Sequence, residues 1–123
     1  MTVCRQTTGR RGEHWAAQHL EALGWAIVER NWRCDEGELD IVALAPHEPG
    51  PPDLVVVEVK TRSGTGYGSP LEAITAAKAR RLRRLAARWR REHPGIGAGL
   101  RLDAVGVVKA PGEAPRIAHV RGL

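Results

Sequence analysis

The pattern of apolar and polar residues along the chain gives its clearest strand signal at residues 54–61. Valine and leucine fill most of this segment, and β-branched side chains favour a pleated strand that is packed on its faces. Because successive side chains point to opposite faces of a strand, Glu58 and Lys60 share one face, and both faces are otherwise apolar. This pattern predicts a central strand that is covered on both sides.

Three more long strands, a short last strand and two helices are predicted. The strands are expected at residues 25–32, 38–44, 101–109 and 116–120, and the helices at residues 9–23 and 70–92. A turn between the first two strands predicts an antiparallel hairpin, and four prolines in residues 45–53 predict a surface loop. The order strand, helix, strand over residues 54–109 predicts a right-handed crossover between parallel strands. The glycine-rich residues 63–70 between strand and helix are read as a connector or as a loop that covers a ligand.

The first predicted helix carries an acid on its apolar face. Apolar residues recur at the spacing of one helix face over residues 16–23, and Glu13 continues that face toward the N-terminus. Glu13 either complements the positive end of the helix dipole or belongs to a functional site. The pattern alone leaves both explanations open.

The second predicted helix has a lysine in its apolar stripe and arginines around it. Ser69 and Pro70 suit its N-terminus, and Lys78 occupies a position where an apolar residue is expected. Seven arginines lie on the flanking and outer faces: Arg80, Arg81, Arg83, Arg84, Arg88, Arg90 and Arg91. Because residues 73–91 contain no acid, this arginine-rich surface is uncompensated within the helix, which favours phosphate contact over a merely solvated face. Lys78 either faces a site or snorkels to solvent.

Composition narrows the class of protein. The chain has 123 residues, which suits a single domain over residues 9–123 after a flexible N-terminus at residues 1–8. Lys and Arg total 19 against 14 Asp and Glu, and the net charge of +5 favours nucleic acid as a partner. Two cysteines are too few for a disulfide framework, and five scattered histidines do not predict a zinc site. No apolar segment follows Met1, so we expect no membrane span and a cytoplasmic location.

Two carboxylates fall on inward faces of neighbouring predicted strands. Asp40 shares its face with apolar residues of the second strand, as Glu58 does on the third. Mg²⁺ prefers oxygen ligands and takes one or two carboxylates together with a substrate phosphate, so the pattern favours metal-assisted phosphodiester hydrolysis. The alternative is an ion pair between Glu58 and Lys60 with no functional role, and ion pairs of this kind are common.

Two motifs resemble those of a known family. Residues 37–43 (GELDIVA) and 57–62 (VEVKTR) are similar to the main motifs of the YraN-like family, small bacterial proteins of the PD-(D/E)XK nuclease superfamily. Weaker similarities lie at residues 9–13, 75–78 and 101–103, so that five short matches occur along the chain in the order of the family. The resemblance extends over about residues 9–121 and implies an α/β fold with a restriction-endonuclease-like αβββαβ core, whose mixed central sheet is flanked by helices.

The resemblance also implies roles for individual residues. Asp40 and Glu58 would bind Mg²⁺ or Mn²⁺, and Lys60 would be the catalytic lysine. Glu13 would match the acid on the first helix of related Holliday-junction resolvases, as a fourth catalytic residue. Lys78 would contact phosphate, and we add Arg81, Arg84 and Arg88 of the arginine-rich surface as nucleic-acid-binding residues.

This sequence departs from the family pattern at two places. Leu39 rather than proline precedes Asp40, which changes the letter of the motif but leaves its chemistry intact. The proline-rich residues 45–53 are longer than in other members and should alter only the edge of the sheet. Asp103 is expected to be structural and paired with Arg101.

Two classes of function follow from these observations. The first is a Mg²⁺-dependent endonuclease that hydrolyses DNA, including branched or structured DNA. The second is a nucleic-acid-binding module of nuclease fold with weak or no catalysis. The presence of all the expected acids and of Lys60 favours the first, and a homodimer stays open in either case. A role confined to protein interaction is disfavoured because aromatic residues make up only 4% of the chain.

Overall fold

The computed structural model describes residues 3–64 and 69–123. Within them the chain forms two α-helices, one short 3₁₀ helix and five β-strands. The elements in chain order are α1 (Val3–Ala22), β1 (Ala26–Cys34), β2 (Gly37–His47), β3 (Gly50–Arg62), the 3₁₀ helix (Pro70–Ala73), α2 (Ala76–Glu92), β4 (Leu100–Val108) and β5 (Arg116–Arg121). The structure is therefore a mixed α/β arrangement.

The five strands form one mixed sheet in the order β1-β2-β3-β4-β5. The pairs β1–β2, β2–β3 and β4–β5 are antiparallel, whereas β3 and β4 are parallel. These pairings confirm the predicted first hairpin and the predicted parallel pair on either side of α2. The valine-rich β3 lies at the centre of the sheet, as predicted.

Each face of the sheet is covered by one helix. On one face, Ala16, Ala17 and Leu20 of α1 pack against a cluster of buried aliphatic side chains that includes Val55 and Val57. On the other face, α2 packs its own apolar stripe against the sheet; the buried residues there include Trp32, Leu39, Val42, Leu54, Val56, Leu82, Leu85 and Trp89. Burial of one such leucine or valine contributes about 1.5–3 kcal/mol, so both helix faces are strongly fixed.

The predicted surface loop at residues 45–53 is wrong, because β2 and β3 continue through it as a tight hairpin. Ala45 pairs with Asp53, and His47 pairs with Gly50. Proline cannot donate a ladder hydrogen bond and is tolerated in strands only at edges and bulges. The register shift between Ala45 and His47 supplies such an irregularity, and the prolines of the segment stand at or beyond it.

The predicted helix over residues 70–92 is two helices. Ser69 caps the short 3₁₀ helix through its hydroxyl, and Ile74 is then extended. Thr75 caps α2 by accepting a hydrogen bond from the Lys78 backbone N–H at 3.2 Å. The break follows from side-chain capping, because a threonine hydroxyl that satisfies a free N–H favours a new helix start over helix continuation.

The N-terminal prediction also needs correction. Helix α1 begins at Val3 rather than near residue 9, so it extends further toward the N-terminus than predicted. Residues 1–2, and residues 65–68 of the glycine-rich connector, lie outside the described part of the chain. Among the described helices, none is both long and apolar enough to cross a membrane.

Candidate active site

The site begins where β2 and β3 part. The pairing of these strands runs from His47 and Gly50 as far as Ile41 and Val57. Beyond that pair, the Val59 backbone N–H donates to Oδ2 of Asp40 at 2.9 Å. A side-chain carboxylate thus takes a backbone donor of β3, which satisfies the amide and holds Asp40 in the gap between the strands.

Glu58 lies next to this gap on the α2 side of β3. Its side chain is buried, with only 8% of the residue exposed. Burial, and after it the neighbouring Asp40 carboxyl, raise the pKa of Glu58 to about 8. The metal-free site therefore disfavours the ionised form of Glu58.

Two lysines face the paired carboxylates. Lys78 Nζ lies 4.0 Å from Oε2 of Glu58. The nearby Lys60 ammonium lowers the pKa of Lys78, and burial lowers it as well. In the described part of the chain the ion-pair partner of Glu58 is thus Lys78 and not Lys60, so the simple Glu58–Lys60 pair considered from the sequence is absent there.

Glu13 approaches the site from α1 without lining the cleft. Burial raises the pKa of Glu13, and the Asp40 charge raises it further, whereas the Asn31 side chain lowers it. The close approach of α1 depends on Gly12, since a Cβ there would stand 1.9 Å from Oγ1 of Thr61 on β3. Glu13 is consequently coupled to Asp40 through its charge.

The carboxylates open into a cleft of about 730 Å³. One wall is the first half of α2, which contributes Lys78 and Arg81, and the base is formed by Asp40 and residues 58–60. A second wall is the β1–β2 turn, residues 33–38, with carboxylates at positions 35, 36 and 38 and with Arg33, which pairs with Glu38 at 3.1 Å. The cleft therefore has a cationic wall on α2 and a wall of mixed charge on the turn.

The structure corrects the expectation of an uncompensated arginine-rich surface at Arg88. The guanidinium of Arg88 contacts Asp35, Glu36 and Glu92, at 2.8 Å in the case of Glu36. It also lowers the pKa of Asp35. Arg88 is consequently occupied by the acids of the turn, although residues 73–91 contain no acid of their own.

The other two predicted nucleic-acid-binding arginines lie differently. Arg81 lines the cleft, and its Nη2 donates to the Glu36 carbonyl oxygen at 3.0 Å. Arg84 is exposed one turn further along α2. Within residues 3–64 and 69–123 it forms no ion pair.

A second polar cluster lies on the α1 side of the sheet, away from the cleft. Asp103 is fully buried and bonded to Arg101 at 2.8 and 3.1 Å, which confirms the predicted pair. It also contacts His119 at 2.8 Å, and His119 contacts His19 at 3.2 Å. Sequence analysis missed the two histidines because they are 100 residues apart. The cluster ties α1 to β4 and β5.

Asn31 was also missed. It lies in β1 with φ +55°, in the left-handed region, and is the one non-glycine residue with positive φ in the described chain. An asparagine inside a strand pattern is the signal that could have drawn attention to it, because Asn tolerates this conformation better than most residues.

The donor atoms in the cleft suit a hard divalent cation. Asp40 and Glu58 supply carboxylate oxygens, as Mg²⁺ and Mn²⁺ require. In residues 3–64 and 69–123, the cleft included, no group of three His, Cys, Asp or Glu side chains is placed to hold a metal ion. Two carboxylates are nevertheless sufficient for Mg²⁺ when a substrate phosphate and waters complete the coordination.

Comparisons with known proteins identify relatives along almost the whole chain. A family described as "Uncharacterised protein family UPF0102" matches residues 12–107. A UPF0102 protein of Clavibacter michiganensis is 52% identical over 116 residues, 94% of each chain. UPF0102 proteins of Frankia alni and of Arthrobacter sp. strain FB24 are 50% and 49% identical, over 96% and 94% of this chain and 94% and 93% of their own.

Proposed function

The chain belongs to the UPF0102 family, and from the geometry of its cleft we propose that it is a divalent-cation-dependent endonuclease. Its substrate is the phosphodiester backbone of nucleic acid, with DNA as the expected form, including branched or structured DNA. The observation that carries the proposal is the buried Glu58 beside Asp40, at the point where β2 and β3 separate.

The carboxylate pair supports a cation site because neighbouring acids disfavour each other's ionisation. The raised pKa of Glu58, about 8, reflects burial and the Asp40 carboxyl. In our proposal Asp40 and Glu58 hold Mg²⁺ or Mn²⁺, which offsets the cost of ionising both. When bound, such an ion polarises a phosphoryl oxygen and lowers the pKa of a bound water.

The lysines support a phosphate-binding role in the same cleft. Lys60 and Lys78 are close enough for the charge of Lys60 to lower the pKa of Lys78. An entering phosphate anion relieves that repulsion, so the pair favours phosphate over an empty cleft. Lys60, on the strand that carries Glu58, is proposed to hold the scissile phosphate, and Lys78 and Arg81 the adjoining backbone.

The remaining elements complete the proposal. The element order of the described chain, through β4, is compatible with the restriction-endonuclease-like core that the motif resemblance implies, and we propose that core. Glu13 is proposed to act through its charge on Asp40, because it does not line the cleft. Arg84 extends the cationic wall outward along α2.

One observation favours the second candidate, a nucleic-acid-binding module without catalysis. Lys78 lies 4.0 Å from Glu58 and can serve as its permanent partner. In that case the cleft binds a phosphate backbone through its lysines and arginines, and no divalent cation enters.

Incubation of the purified chain with linear, flapped and four-way DNA separates the two candidates. The proposal predicts cleavage in Mg²⁺ or Mn²⁺ that stops in EDTA. The affinity for DNA should be the same with metal and with EDTA. Binding without cleavage in all three DNA forms and in both metals would leave the binding module as the function.

A further inference from the structure

The left-handed residue Asn31 stands directly opposite Asp40. The β1–β2 ladder pairs Arg30 with Ile41 and Trp32 with Leu39, so Asn31 and Asp40 face each other between those pairs. Asn31 and Asp40 do not pair in the ladder, whereas the register on both sides of them is unchanged. The irregularity is therefore local and contains one residue of each strand.

Strand β1 changes its face at Asn31. Trp89 of α2 donates to Glu29 at 2.8 Å, which places Glu29 on the α2 side of the sheet. Trp32 packs in the buried cluster on the same side. Residues three apart in a regular strand point to opposite faces, so β1 rotates by one position between Glu29 and Trp32.

Strand β2 makes the same change at Asp40. Leu39 and Val42 both belong to the buried cluster under α2, although they too are three residues apart. Ile41 belongs to the opposite cluster under α1. The two strands thus rotate together, which explains why their register is retained across the Asn31–Asp40 position.

The rotation gives Asp40 its position in the site. Regular alternation counted from Leu39 would place Asp40 on the α1 face, whereas alternation counted from Ile41 would place it on the α2 face. Here it lies at the crossing point, where its Oδ2 accepts the Val59 N–H and its carboxyl adjoins Glu58. The side chain of Asn31 also interacts with the Glu13 carboxyl. Asn31 of β1 thus lies opposite Asp40 in the sheet, and its side chain interacts with Glu13.

We propose that Asn31 is a positioning residue, whose left-handed backbone turns Asp40 into the gap between β2 and β3. A residue with a β-branched side chain disfavours this conformation, whereas glycine adopts it freely. Substitution by valine should therefore restore regular strand geometry and withdraw Asp40 from Val59. The meaning of this device for catalysis rests on the proposed function, but the effect on Val59 does not.

Amide hydrogen exchange by NMR tests the proposal on Asn31→Val and Asn31→Gly. In Asn31→Val the Val59 amide should lose protection, while the Leu54 amide, bonded to the Gly99 carbonyl at 2.8 Å, should keep it as an internal reference. In Asn31→Gly the Val59 amide should stay protected, although the amide side chain is gone. Wild-type protection of Val59 in Asn31→Val would overturn the proposal, and so would its loss in Asn31→Gly.

Asn31→Ala serves if Asn31→Val does not fold. Alanine disfavours the left-handed region less than valine does, so Val59 protection should fall between that of the wild type and full exposure. A folded Asn31→Ala protein with wild-type protection at Val59, in the absence of a folded valine variant, would equally overturn the proposal.

Calorimetric titration with Mn²⁺ gives the functional readout on the same proteins. Asn31→Val should bind Mn²⁺ about 10–100-fold more weakly than Asn31→Gly, which is the usual cost of losing support for a metal ligand. Equal affinities would contradict a role in the cation site. If the wild type binds no Mn²⁺ and cleaves no DNA, the proposed function fails, and the exchange experiment still decides the positioning role.

Discussion

Glu58 is the residue whose ionisation distinguishes the candidate site from an ordinary strand. Its burial and the Asp40 carboxyl raise its pKa to about 8. A carboxyl whose pKa is higher in the folded than in the unfolded state binds its proton more tightly when folded. This tighter proton binding stabilises the folded protein fully below about pH 4.5, the ordinary pKa of a glutamate. The stabilisation is lost as the pH rises through about 8.

The first prediction follows for the metal-free protein. The free energy of unfolding, measured by urea titration in EDTA, should decrease between pH 5 and pH 9. Glu58→Gln should remove most of that decrease and stabilise the protein at pH 9, because glutamine stays neutral. Glu113→Gln, an exposed acid in the β4–β5 turn, serves as the matched control and should keep the wild-type slope. Parallel pH profiles for the wild type and Glu58→Gln would contradict the assigned pKa.

Individual residues differ in how far the sequence predicts their position. Period-two alternation was enough to predict that Glu58 and Lys60 point inward on one face of β3. The structure brings them together with Asp40 and Lys78. Arg88 could not be predicted, because its partners Asp35 and Glu36 lie more than 50 residues away on the β1–β2 turn. Pairing across such a separation depends on tertiary packing, which local patterns do not contain.

At the scale of elements, the contact of α1 with β3 brings Glu13 near the site. Gly12 allows that contact, since a Cβ there would lie 1.9 Å from Oγ1 and 3.1 Å from Cγ2 of Thr61. An alanine in a helix interior ordinarily gains about 1 kcal/mol over glycine. Steric conflict with β3 should reverse that gain here.

The second prediction is that Gly12→Ala destabilises the protein by about 1–3 kcal/mol, the usual cost of overpacking. Urea unfolding measures it, with Gly64→Ala as the control because nothing lies within 4 Å of a Cβ at Gly64. Thr61→Ala in the Gly12→Ala background should recover part of the loss. Stabilisation by Gly12→Ala would show that α1 can move away from β3 without cost.

The third prediction concerns α2 as a phosphate-contacting element. The logarithm of DNA affinity should fall linearly with the logarithm of salt concentration, and each lost phosphate contact should reduce that slope by about 0.9. Arg81→Ala and Arg84→Ala should each flatten it, because Arg81 lines the cleft and Arg84 is exposed beside it. Arg88→Ala should leave the slope unchanged, since Asp35, Glu36 and Glu92 already hold Arg88.

Fluorescence anisotropy over a salt series measures these slopes. An equal reduction by Arg88→Ala would mean that DNA displaces the acids of the turn. Unchanged slopes for Arg81→Ala and Arg84→Ala would instead make the arginine-rich surface a merely solvated face.

Two element boundaries show where sequence patterns fail. Apolar spacing continues from the 3₁₀ helix into α2, and only the capping by Thr75 divides them. The prolines of residues 45–53 are ordinary turn signals, but a bulge at the end of the β2–β3 hairpin accommodates them within strands. In both cases a specific hydrogen-bonding arrangement overrides the general preference of the residues.

At the scale of the whole molecule, the cleft exists because β2 and β3 pair along only part of their length. Strands β2 and β3 part beyond Ile41 and Val57, and α2 covers the sheet beside the opening. The sequence predicted the strands, the parallel β3–β4 pair and the inward acids from alternation and element order. The opening itself could not be predicted, since it depends on the joint rotation of β1 and β2 at Asn31 and Asp40.

The chain has a net charge of +5, and the charged side chains around that opening are unevenly distributed. Lys60, Lys78 and Arg81 line one part of the cleft, whereas the β1–β2 turn carries acids on the other. In our proposal a single phosphate backbone lies along the cationic wall that these three residues form. The net charge of +5 is therefore compatible with the proposed nucleic-acid partner, whose backbone we expect beside Lys60, Lys78 and Arg81.

The proposed function is tested most directly by single-turnover cleavage of DNA in Mg²⁺, measured beside DNA affinity on the same variants. Glu58→Gln removes a carboxylate of the pair, and Lys60→Ala removes the charge proposed to hold the scissile phosphate; neither alters Arg81 or Arg84. We predict that both variants lose cleavage while retaining DNA binding, and that Glu113→Gln cleaves like the wild type. Cleavage that persists in Glu58→Gln and Lys60→Ala, or wild-type protein that binds DNA without cleaving it, would contradict the proposal.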